Sequence, residues 1–375
     1  MAKNNNHTKA LRTEVERLNQ LLQIGRALAS DIRLENLMER VAEECAEMVR
    51  AKRCFVFVKD RNSGVIWTAL FPSGKIIKFA QSEGIEGWVS VHQEYVISDN
   101  PHNNKHFSSK LEKILGYPIK NLVVLPLLNY RGETIGILET INKLEGDFTS
   151  QDYLFLQAAA AQIAISFENA RLYQDIRRTL SSLTEVMAAT IDAKHPIAKG
   201  HSQRVAKYAV GIAREMGVPE QEIEQIRIAS LLHDYGKIGI PDIILKKEGK
   251  LSPEEYTAMQ KHAKITHDIV SKVHFAEELA DVPIIASCHH ERWDGEGYPF
   301  GLAREAIPLG SRIIAVADCF DAITSMREYK EPKAFEEGLN DIIEESGKQF
   351  DPNVVEAFAR YYRQELEPLV EKGEI

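Results

Sequence analysis

The sequence predicts a multidomain protein: a mixed α/β domain, a long connecting helix, and an all-α domain. Three observations predict it. Short runs of β-branched and aromatic residues fill the chain between Cys54 and Leu138. Strand-like alternation nearly vanishes from about residue 192, where helical periodicity takes over. Between the two, Tyr173, Ile176, Leu180, Leu183 and Met187 recur at steps of three and four, a heptad. With 375 residues there is room for two or three domains, each with its own core.

Each element follows from local pattern. Leu11, Val15, Leu18 and Leu22 form a helical seam, and a second amphipathic stretch runs from about Leu34 to Val49. The runs starting at Cys54, Val65, Ile76 and Tyr95 read as strands. Leu122–Leu127 and Thr134–Leu138 flank the turn at Arg131-Gly132 and read as a hairpin. Thr149 and Asp152 are spaced to cap a long helix. The heptad within it suits either packing on its own domain or a parallel two-chain coiled coil between domains. Its position favours the coiled coil and so a homodimer. Farther on, Pro219 and Glu220 suit the first turn of a helix ending near Asp234. Ser252-Pro253-Glu254-Glu255 places an N-cap, a proline at the first helical position and a reciprocal glutamate in order.

Composition excludes several classes. Hydrophobic residues at 44% and charged residues at 27% are the balance of a globular protein. No apolar run reaches eighteen residues, so no membrane span is expected. The polar start lacks the apolar core of a secretory signal. Cys45, Cys54, Cys288 and Cys319 form no Cys-x-x-Cys pair and suggest no disulfide framework, which points to a reducing cytoplasm. A net charge of −9 argues against a nucleic-acid polymer as partner, though not against a small anionic substrate.

The chemistry concentrates in the second half. Eight of the twelve histidines lie between 195 and 290. His201, His233, Asp234, His262, His289, His290 and Asp318 follow one another at gaps of 32, 28, 27 and 28 residues. Each gap fits one helix-loop-helix unit, so successive helices are expected to point ligands inward. Imidazoles and carboxylates suit a transition metal, and seven are too many for one ion that must also hold substrate. A lone histidine is usually a satisfied core residue, and His195, His267 and His274 are read that way or as plain surface residues. Seven such groups buried without metal would leave unpaired polar atoms.

The expected division gives one metal His201, His233 and Asp318, and the other His262, His289 and His290. Asp234 is the bridging candidate. Two metals about 3.5–4 Å apart would polarise a phosphate and lower the pKa of a bridging water, the nucleophile for in-line attack on a phosphodiester. Lys237, three residues beyond Asp234, is expected either in the cleft on a phosphate oxygen or on the surface. Arg327 and Lys330 are expected to hold the second phosphate of a two-phosphate substrate. Asp321 is expected either to orient a ligand histidine or to cap a helix or pair with a cation.

These residues carry a resemblance. Gly200-His201-Ser202-x-Arg204-Val205, the run from His233-Asp234 to Pro241-Asp242, and His289-His290 through Gly297-Tyr298-Pro299 resemble the HD-GYP branch of the HD phosphohydrolases. Arg312–Asp318 and Phe350-Asp351-Pro352 extend the match over about 192–365. The resemblance implies an all-α HD-type bundle that hydrolyses cyclic di-GMP to pGpG, and sometimes on to GMP, with two iron or manganese ions. Ile197 stands where three-metal members tend to place a glutamate, so two metals per chain are expected. His195 lies in the same departing stretch, and Thr266-His267 departs from a common glycine.

Residues 15–172 resemble a GAF domain, an antiparallel sheet flanked by helices. Asn142-Lys143, Phe148, Asp152 and the helix ending at Phe167–Tyr173 carry that likeness. Tyr153 stands where the cyclic-nucleotide-binding motif has glutamate, so the motif is read as a Lys–Asp brace and the GAF ligand stays unknown. The expected layout is an N-terminal tail to 14, the GAF domain at 15–172, a coiled-coil linker at 173–191 and the HD-GYP domain at 192–375. Two other functions fit the residues: an HD phosphohydrolase for another cyclic dinucleotide, or a signalling adaptor whose Gly297-Tyr298-Pro299 loop docks a diguanylate cyclase.

Overall fold

The computed structural model describes residues 34–70, 75–194, 200–325 and 332–373. The seam at Leu11–Leu22 lies outside them, as do His195, Ile197, Arg327 and Lys330. Contacts divide the chain into two compact units, Met1–Ile176 and Arg177–Ile375.

The first unit is built on one antiparallel sheet. Its strands are β1 (Ala51–Lys59), β2 (Ile66–Leu70), β3 (Lys75–Phe79), β4 (Val96–Ser98), β5 (Leu122–Leu128) and β6 (Thr134–Lys143), in the order β3-β2-β1-β6-β5-β4. The β5–β6 hairpin forms as the sequence predicts, with Leu122 opposite Ile141 and Leu128 opposite Thr134. Side-chain alternation gives the sheet two buried faces. Cys54, Val56, Val123 and Leu138 pack under α1 (Leu34–Met48) and the start of the long helix. Phe55, Phe57, Val124 and Ile137 pack with Ile85, Val89 and Leu111, carried by α2 (Gly84–His92) and α3 (Lys110–Leu115). Neither α2 nor α3 was legible as a helix in the sequence, because both are short and α2 opens on two glycines among its first four residues.

The Asn142-Lys143…Asp152 motif is a brace. Lys143 Nζ lies 2.6 Å from Asp152 Oδ2 and donates to the Val49 carbonyl. The same Asp152 oxygen accepts from the Thr149 amide and hydroxyl, each at 2.8 Å. One buried carboxylate thus ties β6 and the end of α1 to the start of the next helix.

That helix, α4, runs unbroken from Ser150 to Lys194. Leu156, Ala159, Ile163 and Phe167 are buried in the first unit. In the second unit Thr184, Ala188 and Ile191 are buried, and Met187 packs against the core. Of the predicted heptad, Tyr173, Ile176 and Leu183 stay exposed, Ile176 at 66%.

The second unit is helical: α5 (His201–Glu215), α6 (Glu220–Leu232), α7 (Asp242–Leu245), α8 (Pro253–Val270), α9 (Val282–Ser287), α10 (Leu309–Thr324), α11 (Phe335–Glu344), α12 (Pro352–Tyr361) and α13 (Glu367–Glu371). Val205, Ile212, Ile226, Ile313, Phe320 and Phe358 meet in its core. The capping box at Ser252 and Glu255 forms, both hydrogen bonds included. Pro219 sits at the N-cap of α6 rather than inside its first turn. The Phe350-Asp351-Pro352 run is structural: Phe350 is buried, Asp351 caps α12 and its carboxylate pairs with Arg312 of α10 at 2.5 Å.

Among the described residues no helix is long and apolar enough to cross a membrane. The four cysteines form no disulfide, and Cys45, Cys54 and Cys288 are buried.

Candidate metal centre

The seven predicted ligands come together at one end of the helical unit, but not each from within a helix. His201 is the first residue of α5 and Asp318 lies inside α10. His262 is mid-helix in α8. His233 caps the C-terminal end of α6, and Asp234 follows it into a 3₁₀ turn, Tyr235–Gly239. His289 and His290 lie in the turn just past α9. Helix ends are used because chain direction changes there, which lets adjacent residues point at the same spot.

Three trios of donor atoms form within the cluster, each within 4.8 Å: His201, His233 and Asp318; His262, His289 and His290; and His233, Asp234 and His289, which joins the first two. Asp234 lies between those two. Its Oδ2 is 3.8 Å from His201 Nε2 and 3.3 Å from His233 Nε2, while its Oδ1 is 3.5 Å from His262 Nε2. Each carboxylate oxygen thus addresses a different trio, the geometry of a bridging ligand.

The outer nitrogens are already committed. His233, His262 and His289 each point Nδ1 at the carbonyl three residues back, of Ser230, Met259 and Ala286, at 2.5–2.7 Å. His201 Nδ1 lies 2.7 Å from Asp321 Oδ2. An Nδ1–H donated outward leaves the Nε2 lone pair facing inward, the arrangement that a metal-bound imidazole needs. Nε2 of His233, His262 and His289, and Oδ1 of Asp234, are buried with no hydrogen-bond partner among the described residues. Four orphaned acceptors aimed at one space cost several kcal/mol unless a cation joins them. The donor set of imidazoles and carboxylates therefore fits a metal centre.

Electrostatics divides the cluster. Burial opposes charge on His201, but Asp318 and Asp321 outweigh it and raise its pKa to about 10. Burial also disfavours the charged Asp318 and Asp234, yet their cationic neighbours hold both well below the usual carboxylate range. Burial lowers His262, lowers His289 strongly and takes His290 down to about 3. One trio is anion-rich, and the other offers neutral imidazoles.

Asp321 does both things expected of it. Besides His201 it pairs with Arg204, Nε to Oδ1 at 2.6 Å, and burial leaves it only 1% exposed. Lys237 lies with its Nζ 2.6 Å from Asp234 Oδ2 and its side chain 28% exposed, so it borders both the cluster and solvent.

Two residues carry more than sequence reasoning gave them. Thr266, flagged only as a departure, is fully buried one turn beyond His262. Its hydroxyl donates to the His233 carbonyl at 3.0 Å and accepts from the Gly236 amide at 2.8 Å. A Cβ on Gly236 would stand 1.9 Å from the His262 carbonyl, so only glycine allows this approach. The spacing of four from His262 was the available signal. Glu291 is the second: its buried carboxylate accepts from the amides of Phe300 and Leu302 and so folds the Gly-Tyr-Pro loop back. Tyr298 is thereby set 4.8 Å, ring to ring, from His290.

Sheet and bundle define the class: an α+β domain followed by a helical domain that carries a histidine–aspartate cluster able to hold metal. The comparisons agree. Residues 33–167 match the GAF domain family, and residues 185–354 match the HD domain family. The chain thus matches a GAF domain followed by an HD domain. It is 47% identical over 166 residues to a cyclic di-GMP phosphodiesterase of Thermotoga maritima, covering 43% of each chain. It is 36% identical over 223 residues to 3'3'-cGAMP-specific phosphodiesterase 2 of Vibrio cholerae, covering 58% of this chain and 42% of that one. It is 41% identical over 186 residues to the cyclic di-GMP phosphodiesterase response regulator RpfG of Xanthomonas campestris, covering 49% and 47%. The chain thus spans less than half the length of these relatives.

Proposed function

We propose that this chain hydrolyses a cyclic dinucleotide, cyclic di-GMP first among them, to the linear pGpG and on to GMP where a second cut follows. The observation that carries the reading is the split of the Asp234 carboxylate between two donor trios, in which Nε2 of His233, His262 and His289 has no partner. The names of the three relatives support the substrate class. Two divalent metals held there would polarise the phosphate and lower the pKa of a water.

The chain's own residues do the rest. Asp234, with His201, His233 and Asp318 on one side and His262, His289 and His290 on the other, would hold the metals. Asp321 fixes the His201 ring. The Lys237 ammonium, bordering both the cluster and solvent, would take a phosphate oxygen of the substrate. Arg327 and Lys330 are the proposed partners of the second phosphate. The apolar edge of α4 at Tyr173, Ile176 and Leu183 is proposed to pair with a second copy, so that a GAF ligand acts on the catalytic unit through this helix in the cytoplasm. The 3'3'-cGAMP-specific relative supports a second reading, in which the mixed dinucleotide is the substrate. In a third, the chain is an adaptor that docks a cyclase and catalysis is secondary.

The test is metal content of anaerobically purified protein with turnover of cyclic di-GMP and 3'3'-cGAMP on the same sample. About two iron or manganese per chain and pGpG as product are expected. Asp234→Ala should lower turnover by more than about 100-fold, beyond the usual effect of residues outside the ligand set. Faster turnover of 3'3'-cGAMP would exchange the substrate. Absence of metal and turnover after reconstitution would reject the enzyme.

A further inference from the structure

The last turn of α4 reaches the metal-site turn directly. Residues 177–194 belong to the same compact unit as the histidine cluster. The Lys194 ammonium donates to three carbonyls: Lys237 at 3.3 Å, Ile238 at 2.9 Å and Ile240 at 3.1 Å. It also lies 3.5 Å from Asp242 Oδ1. Two residues earlier, Asp192 accepts from the hydroxyl of Ser202 at 3.0 Å, beside His201. Both groups are well enclosed, with Asp192 8% and Ser202 1% exposed.

The chemistry of the match is specific. An ammonium has three protons to give and no acceptor. The end of a 3₁₀ helix has carbonyls that its own turn does not all satisfy, and it carries partial negative charge; here the Lys237 carbonyl already accepts from the Ile240 amide. The turn contributes Lys237, whose Nζ reaches Asp234. From the opposite side Thr266 holds only the first half of the turn, at the Gly236 amide and the His233 carbonyl. The second half, from Lys237 on, has its own Ile240-to-Lys237 backbone bond and Lys194.

We propose that Lys194 is a positioning residue: it holds the Lys237–Ile240 turn against the end of α4 and so sets where the Lys237 ammonium stands over the site. It touches neither ligand nor substrate. Its effect on rate runs through Lys237, which the preceding reading assigns to a substrate phosphate. The kinetic arm of the test rests on that reading and the exchange arm does not.

The experiment compares full-length wild type, Lys194→Met and Lys194→Arg. Amide hydrogen exchange is followed at residues 237–240, with core amides of Val355 and Phe358 as controls. In Lys194→Met, exchange at 237–240 should rise by about tenfold, the scale of one lost charged hydrogen bond. With bis(p-nitrophenyl) phosphate as probe, KM should rise several-fold while kcat and metal content hold. Lys194→Arg should restore both. Unchanged exchange at 237–240 overturns the proposal. Raised exchange with unchanged KM also overturns it, because Lys194 would then only brace the fold. If Lys194→Met opens the control amides as well, Lys194→Gln is read by the same criteria. A wild type that cleaves no phosphodiester would reject the enzyme reading and leave exchange, with its Lys194→Arg rescue, to decide the positioning.

Discussion

Each unit of this protein buries a cluster of ionisable groups, and the two clusters solve the same problem differently. In the sheet unit Glu139 of β6 and Glu86 of α2 are 1% and 4% exposed and lie among Phe55, Val89, Val124 and Ile137. Burial raises the pKa of Glu139 strongly and takes Glu86 to about 7, and the neighbouring Glu86 carboxyl adds to the shift at Glu139. A proton suffices to neutralise this pair. In the helical unit the carboxylates are held ionised, several imidazoles are held neutral, and four inward atoms lack partners. Burial alone therefore does not make a metal site. Acceptors that converge, with their outer nitrogens already used, do.

Three substitutions or titrations sharpen that contrast. The largest effect is expected at Asp321, whose Oδ2 lies 2.7 Å from His201 Nδ1 on the outer side of the cluster. Asp321→Asn should lower metal affinity or turnover by about 10–100-fold. Metal titration against a chelator measures it, and an unchanged affinity would reduce Asp321 to a salt-bridge partner of Arg204.

Thr266 comes next. Thr266→Val keeps the shape but strands the His233 carbonyl and the Gly236 amide, both buried. The helical unit should lose about 1–3 kcal/mol, and Thr266→Ser should recover most of it. Urea unfolding followed at Trp293 would record the change, and equal midpoints for all three proteins would refute the tie.

The smallest effect belongs to the glutamate pair. Folding raises both pKa values, so the folded state binds protons that the unfolded chain has released. That contribution is complete below the ordinary value of 4.5 and is lost as pH rises through about 7. The sheet unit, read at Trp67 and Trp88, should therefore lose stability across this window. Glu139→Gln should flatten the slope, and an unaltered slope would mean that other groups set it.

Most of the fold was legible because periodicity is local. The six strands fall where β-branched runs stand, and the Ser252 capping box and the Thr149–Asp152 cap form at their predicted residues. The clustering residues were legible because adjacent His-Asp and His-His pairs are scarce and their spacing regular. Helices α2 and α3 were not, since tertiary packing over Phe57 and Phe79 supports segments too short to announce themselves.

By itself the sequence determined the two domain classes, the seven metal-ligand candidates and the Lys143–Asp152 brace, all of which depend on residue type and spacing. Only the tertiary structure decided that Asp234 faces two trios, that Thr266 and Lys194 grip opposite ends of one turn, and that the ligands beside Asp234 and Cys288 leave helix ends. Those facts depend on distances between segments 30 or more residues apart. Hydrogen bonds are made across space, and no periodicity along the chain records them.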